Sequence, residues 1–408
     1  MASDGSETRG ADMGKAQLSS LAWIEPVMIV ATMVASVIVN RRKSYSIFPS
    51  STTSSRRNSA DGLVDKDEYL SDSDDSLQSF RVRSRDLEGT TPHARPFYAI
   101  AVFNRILQKF PFLVEMFYWA LNYVAYRLSK MAAASLHGHV KGDAVRDIAR
   151  EHGESLLHLE HETPLALFFF VKEISVQQFF LINHLGLMSI MNQIYSLVHI
   201  PGTVAFISWY YYAAPNHNTF AIARRTMTLG DFVAFAVFAV YPCMPPRLLP
   251  ESYGFADTVR QANAQSVWVA DTNNINQFAA MPSLHFTFAL IIGCTFWWHS
   301  GFLQQFFRGK PRDRSFLGMV GFMVAGVLYP MLVLLVIVAT ANHYYLDAVA
   351  AGFSIMLCFF CNKIWLLLLP LERLILRILR LEKPIPTTGE GRKNIYTLEE
   401  SNYTDLSV

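Results

Sequence analysis

His343 and Asp347 stand four residues apart in "ANHYYLDAVA" (341–350). On a helix that spacing puts an imidazole and a carboxylate on one face, within hydrogen-bonding reach. A carboxylate on one ring nitrogen fixes the tautomer and makes the other nitrogen a better nucleophile. A second histidine, His285, follows Pro282 and Ser283 in "AAMPSLHF", at the mouth of an apolar helical run. Two histidines with different neighbours can divide a phosphoryl transfer, one attacking phosphorus and the other protonating the leaving oxygen. The helix start at Pro282–Ser283 would offer free amides and a positive dipole end to a phosphate, and Ser283 a hydroxyl. Arg247, in "PPRLL", would add a planar cationic fork for phosphate oxygens. Taken singly, each residue has a plainer explanation: a polar cap, a helical His–Asp pair, a snorkelling arginine. Their falling together on one side of a membrane is what favours a site. His199, in "YSLVHIPGTV", reads equally as an intramembrane functional group or a helix-packing hydrogen bond, and stays outside the catalytic set. No carboxylate cluster suited to a metal accompanies the histidines, so neither metal nor cofactor is expected.

These residues must be held by apolar helices. Of 408 residues 51% are hydrophobic and mean hydropathy is +0.22, which together with long apolar runs marks a multi-span membrane protein. Five clear spans are expected near 187–213, 228–245, 281–299, 316–339 and 345–369, each approaching the ~20 residues that cross a ~30 Å core. Residues 21–40 and 110–128 are weaker, blemished by Glu25, Pro26 and Glu115. The stretch 164–180 carries Lys172 and Glu173 mid-run and is expected to lie along the interface.

Cations set the sidedness. Arg224 and Arg225, the cluster Arg308, Lys310, Arg312 and Arg314, and the run Arg373, Arg377, Arg380 and Lys383 fall on one side when spans are counted, with Arg41, Arg42 and Lys43 joining them if 110–128 crosses. That side is cytosolic by the positive-inside rule, and every residue with chemical potential lies on the other. The arginines at 373, 377 and 380 share a helical stripe that suits anionic lipid. Residues 1–43 form a polar tail with a weak span, and 44–95 a disordered Ser/Asp/Arg-rich linker open to a cytosolic kinase or regulator. Residues 96–143 give membrane-associated helices, 144–369 the main membrane domain, and 370–408 a basic amphipathic helix and tail. The four cysteines lie in or beside spans and read as packing rather than redox or metal sites. No basic domain with interleaved aromatics is present, which excludes nucleic acid as a partner.

"AAMPSLH" and "ANHYYLDAVA" resemble the second and third signature motifs of the type-2 phosphatidic acid phosphatase superfamily. Within it, "NQIYSLVHIPGTVAFISWYYY", "ARRTM" and "YPCMPPRLLPESYGFADTV" look like stretches of the inositol phosphorylceramide synthase branch, the aureobasidin target, in the expected order. The resemblance spans roughly residues 144–369. It implies an all-α polytopic bundle of about six or seven transmembrane helices around a six-helix core. It also implies His343 as nucleophile, Asp347 as its orienting partner, His285 as general acid/base, and Ser283 and Arg247 as phosphate ligands. The Arg usually found upstream of the nucleophile is missing from "VIVATAN", and the Lys of the usual first motif is missing from "AVYPCMPPR"; both losses resemble the synthase branch. The activity implied moves phosphoinositol from phosphatidylinositol to ceramide in a Golgi-type endomembrane, with a lumenal site and a cytosolic C-terminus. A water acceptor would make the same site a lipid phosphatase, and a catalytically silent scaffold with a recruiting linker is the reading from another class.

Overall fold

The computed structural model describes residues 23–43, 45–47, 95–137, 142–258, 277–308 and 315–393. Most of the 44–95 linker, residues 259–276, Lys310, Arg312, Arg314 and the end of the C-terminal tail lie outside the described residues. The fold is all-α. Its helices are α1 (Ile24–Val39), α2 (Arg95–Lys109), α3 (Phe112–His137), α4 (Gly142–Glu162), α5 (Glu173–Asn183), α6 (Leu185–Gln193) and α7 (His199–Ala213). They continue as α8 (His217–Val240), α9 (Leu284–His299), α10 (Phe302–Arg308), α11 (Phe316–Ala339), α12 (Tyr345–Cys361) and α13 (Leu369–Leu379).

The centre of the bundle is α8, α9, α11 and α12, with α7 and α1 packed along one flank and α3 against α8. Helices α9 and α11 cross where two glycines meet. A Cβ on Gly293 would lie 2.5 Å from the Gly326 carbonyl oxygen and 2.6 Å from the Pro330 ring, so only glycine permits the approach. Beside that crossing, Phe206, Tyr210, Tyr211, Phe220, Phe288 and Ile291 interlock as one buried cluster. Outward faces stay apolar, as Leu317 (81% exposed), Phe360 (74%) and Leu328 (61%) show. Apolar groups left so exposed are at home in hydrocarbon, not water.

Several sequence expectations change. Among the described residues two helices are long and apolar enough to cross a membrane: Phe316–Ala339, and Tyr345–Leu379 counted through a 3-10 stretch. A third would be α5 paired with the stretch Leu185–Leu197, which begins with α6, the two bent by 117°. Helices α1 and α9 are apolar but have 16 residues each, about 24 Å at 1.5 Å per residue, short of a full core. Helix α8 starts at His217 rather than 228, so Arg224 and Arg225 sit inside it and not in a loop. Arg224 is tolerated there because its Nη1 donates to both oxygens of buried Glu115 on α3, the nearer at 2.5 Å. Glu115, which blemished the 110–128 run, and Arg224, read from the sequence as a cation between spans, thus compensate each other. Within the 164–180 stretch a 3-10 turn over Pro164–Leu167 comes first, and α5 begins at Glu173. Arg380 leaves its arginine stripe, since it is the left-handed C-cap of α13 (φ 54°).

The basic segments gather at one end of the bundle. Arg42 donates to the Ile385 carbonyl at 2.8 Å, Trp365 to the Arg225 carbonyl at 3.1 Å, and Lys383 pairs with Glu372 at 2.7 Å. Helices α8 and α11 run from that end to the other, where α9 and α12 begin.

Candidate active site

The far end of the bundle collects the starts of α9 and α12, the end of α11 and the loop after α8. Ser283 is the N-cap of α9; its Oγ accepts from the Phe286 amide at 3.3 Å and the residue is fully buried. A hydroxyl used as an acceptor keeps its proton to donate. Capping places His285 in the first turn of α9, with its half-buried ring turned toward α7.

His343 and Asp347 do come together, but not as a pair on a helical face. The N-cap of α12 is Tyr344, so His343 precedes the helix and Asp347 is its third residue. A capping box folds them together: Asp347 Oδ2 accepts from the Tyr344 amide at 2.9 Å and from His343 Nδ1 at 3.3 Å. The shorter contact of His343 Nδ1 is to the Ala280 carbonyl, 2.8 Å away on the segment entering α9. Both partners are acceptors, so Nδ1 carries the proton and Nε2 holds the lone pair. Asp347 Oδ1 is buried with no hydrogen-bond partner among the described residues.

The rings of His285 and His343 lie 5.9 Å apart, centre to centre. Two residues that sequence reasoning left out frame His285: His199 lies 4.1 Å from its ring and Tyr195 stacks on it at 4.2 Å. The spacing of Tyr195 and His199, four apart, could have signalled this. Between α6 and α7 the chain makes a π turn over Ile194–Val198. Pro201 explains it, since it has no N–H for the Leu197 carbonyl and the turn before it must widen. Such a turn frees backbone carbonyls, and the Tyr195 carbonyl hydrogen-bonds the His285 ring.

Arg247 is bound to the segment that carries His343. Its amide donates to the Ala341 carbonyl (2.9 Å), its Nε to Asn342 Oδ1 (2.8 Å) and its Nη1 to Asp257 Oδ2 (2.9 Å). Asn342 is itself fixed by its Nδ2 donating to Thr340 Oγ1 at 2.8 Å. Tyr344, fully buried, donates to the Met244 carbonyl at 2.9 Å and ties the loop after α8 to the start of α12. The structure therefore places all five sequence-predicted residues, His285, His343, Asp347, Ser283 and Arg247, at one end of the bundle. The expectation that no carboxylate cluster accompanies the histidines needs revision: Glu160, His161 and Glu173 converge beside the first turn of α12. The four cysteines are all unpaired, Cys243 and Cys358 buried and Cys294 and Cys361 exposed.

Residues 155–307 match the family model of the PAP2 superfamily. The matched stretch contains Arg247, Ser283 and His285 and ends before His343 and Asp347. The match supports lipid-phosphate chemistry of the phosphatase or phosphotransferase kind. Comparison with curated proteins and with solved structures gives no match.

Proposed function

We propose that the chain is a membrane lipid phosphotransferase that works through a phosphohistidine at His343, with phosphatidylinositol as donor and ceramide or a related lipid alcohol as acceptor. The observation that carries this reading is the committed Nδ1 of His343: donation to Ala280 and Asp347 leaves Nε2 as the nucleophilic nitrogen, with a second imidazole 5.9 Å away by ring centres.

In the first half-reaction Nε2 forms a bond to phosphorus as the bond from phosphorus to the glycerol oxygen breaks. His285 gives its proton to that oxygen, and diacylglycerol leaves. In the second, His285 takes the proton of the incoming hydroxyl, which attacks phosphorus and releases His343. The Nδ1–H of His343 gains positive charge during attack, and the Asp347 carboxylate stabilises it. Arg247 and the Ser283 hydroxyl hold the phosphate oxygens. Asp257 and Asn342 keep the Arg247 fork from swinging away.

A lipid substrate suits the space below the site. A cavity of about 920 Å³ opens between α7, α9 and α11, lined by Gly202, Phe206, Ile292, Phe296 and Leu335 among others. Gly202 stands three residues after His199, so the cavity starts one turn from the histidines. The basic end of the bundle supports a cytosolic reading of that end and of the C-terminus, with the site facing the lumen; the Golgi-type membrane belongs to the synthase reading.

The test uses purified protein in micelles with labelled phosphatidylinositol and ceramide. The expected product is inositol phosphorylceramide, with an acid-labile phosphohistidine trapped in single turnover and missing from His343→Ala. Free inositol phosphate with no ceramide product would replace the transferase by a phosphatase. Full activity in His343→Ala would end the assignment. Deletion of residues 44–95 should leave most of the rate; loss of the protein's role with intact chemistry would favour the scaffold.

A further inference from the structure

Glu160, at the end of α4, and Glu173, the first residue of α5, are both fully buried against the start of α12. Glu160 Oε1 accepts from the Leu346 amide at 2.6 Å, and Glu173 Oε1 from the Tyr345 amide at 3.4 Å. Those are the first two amides of α12, donors that no helical carbonyl can satisfy. Glu173 Oε2 takes a hydrogen bond from His161 Nε2 at 2.7 Å. Glu160 Oε2 is buried with no N–H or hydroxyl partner among the described residues and faces Glu173. Two carboxylates cannot both be charged side by side in such a place.

We propose that Glu160 and Glu173 form a proton-sharing carboxyl pair that clamps the first turn of α12, and so act as positioning residues for His343 and Asp347; this rests on the phosphoryl-transfer reading of that site. The donor count decides which acid keeps the proton. Glu173 receives the Tyr345 amide, the His161 ring and Glu160, all donors, so it is the carboxylate. Glu160 accepts with Oε1 and donates with Oε2, so it is the neutral acid. Burial, then the neighbouring Glu173, push the Glu160 carboxyl up to about 10, in the same direction. The titratable groups around it are Glu173 from α5, His161 on its own helix, Tyr344, Tyr345 and Asp347 from the start of α12, and Cys243 from the loop after α8. One carboxylate facing the amides of α12 also suits the positive end of that helix. Any displacement of this turn moves Asp347 Oδ2 and the Tyr344 amide together, and with them the proton on His343 Nδ1.

The two acids are chemically unequal, and that gives the test. A glutamine at 160 can accept from Leu346 and donate to Glu173, reproducing both bonds. A glutamine at 173 must set an N–H₂ against one of three converging donors. Full-length Glu160→Gln, Glu160→Ala and Glu173→Gln proteins would be compared in micelles by turnover, by thermal unfolding and by bound zinc. Glu160→Gln should keep kcat within about threefold of the parent, while Glu160→Ala and Glu173→Gln each lose at least about tenfold in kcat with KM little changed. The unfolding midpoints should fall in the same order. Glu160→Gln as damaged as Glu160→Ala, or an undamaged Glu173→Gln, would overturn the pair. So would stoichiometric zinc lost in Glu160→Gln, since the three side chains would then be metal ligands. If the parent protein turns over no phospholipid, the functional reading fails, and the order of unfolding midpoints still decides whether the pair exists.

Discussion

Asp347→Asn removes one charge from the site and little else. The Asn carbonyl can still accept from the Tyr344 amide, so the capping box survives in part and α12 keeps its start. The tautomer of His343 also survives, because the Ala280 carbonyl at 2.8 Å holds the Nδ1 proton more closely than Asp347 does at 3.3 Å. What is lost is the attraction between a carboxylate and an imidazole ring that becomes cationic as Nε2 bonds phosphorus. For unit charges at that separation and an effective dielectric of about 20, it amounts to about 5 kcal/mol. With the ring charge half developed in the transition state it is about 2.5 kcal/mol, or a fall in kcat of roughly 70-fold, with several thousand-fold as the upper bound. KM should change little, because the charge appears only during reaction. Steady-state turnover on labelled phosphatidylinositol and ceramide measures the loss, and single-turnover formation of phosphohistidine assigns it to the first step. A kcat within about threefold of the parent would refute the electrostatic role given to Asp347.

Glu115→Gln should strip Arg224 of its buried partner and cost about 3 kcal/mol, read as a lower unfolding midpoint in micelles; replacing both residues by leucine should recover most of it, and no recovery would contradict the compensation argument. Gly293→Ala pushes a methyl to 2.5 Å from the Gly326 carbonyl oxygen, and overpacking at this crossing should cost about 1–3 kcal/mol of stability; an unchanged midpoint would mean that α9 and α11 are not so close. Gly153→Ala places its Cβ 2.7 Å from the Tyr344 hydroxyl and 2.8 Å from the Met244 carbonyl, so activity should fall with stability; parent-like kcat would count against the Tyr344 tie. Stability should also depend on pH through Glu160, whose carboxyl lies near 10 in the fold. In the unfolded chain it titrates near about 4.3, so between those values the folded state holds a proton that the unfolded state has lost. Stability is thus full below the lower value and declines as pH rises, by up to about 1.4 kcal/mol per unit. The unfolding midpoint of the parent should fall more steeply than that of Glu160→Gln between about pH 6 and 9, and equal slopes would refute the raised acid.

Much of the candidate site was legible in the chain. His285, Ser283, His343, Asp347 and Arg247 are polar groups in an apolar sequence, where only a paired or working group is tolerated, so their types and spacing single them out. The helical class followed as well, because a chain this apolar must satisfy its backbone within each segment. The limits of the helices were less clear. Composition sees Arg224 and Glu115 as breaks in hydropathy, whereas in the fold each supplies the charge that lets the other be buried. The contact between His343 and Asp347 matches the spacing but arises from a capping box. The strongest restraint on the His343 tautomer, the Ala280 carbonyl, is a backbone group and leaves no mark in the sequence. His199, Tyr195, Glu160 and Glu173 were ambiguous for a related reason: an intramembrane histidine or a glutamate in a charged helix has several satisfactory partners until packing chooses one. Sequence determined which residues had to be compensated and that helices would carry them; tertiary structure decided the partners, because hydrogen bonds between residues 63, 172 or 186 positions apart depend on how helices cross and not on local pattern.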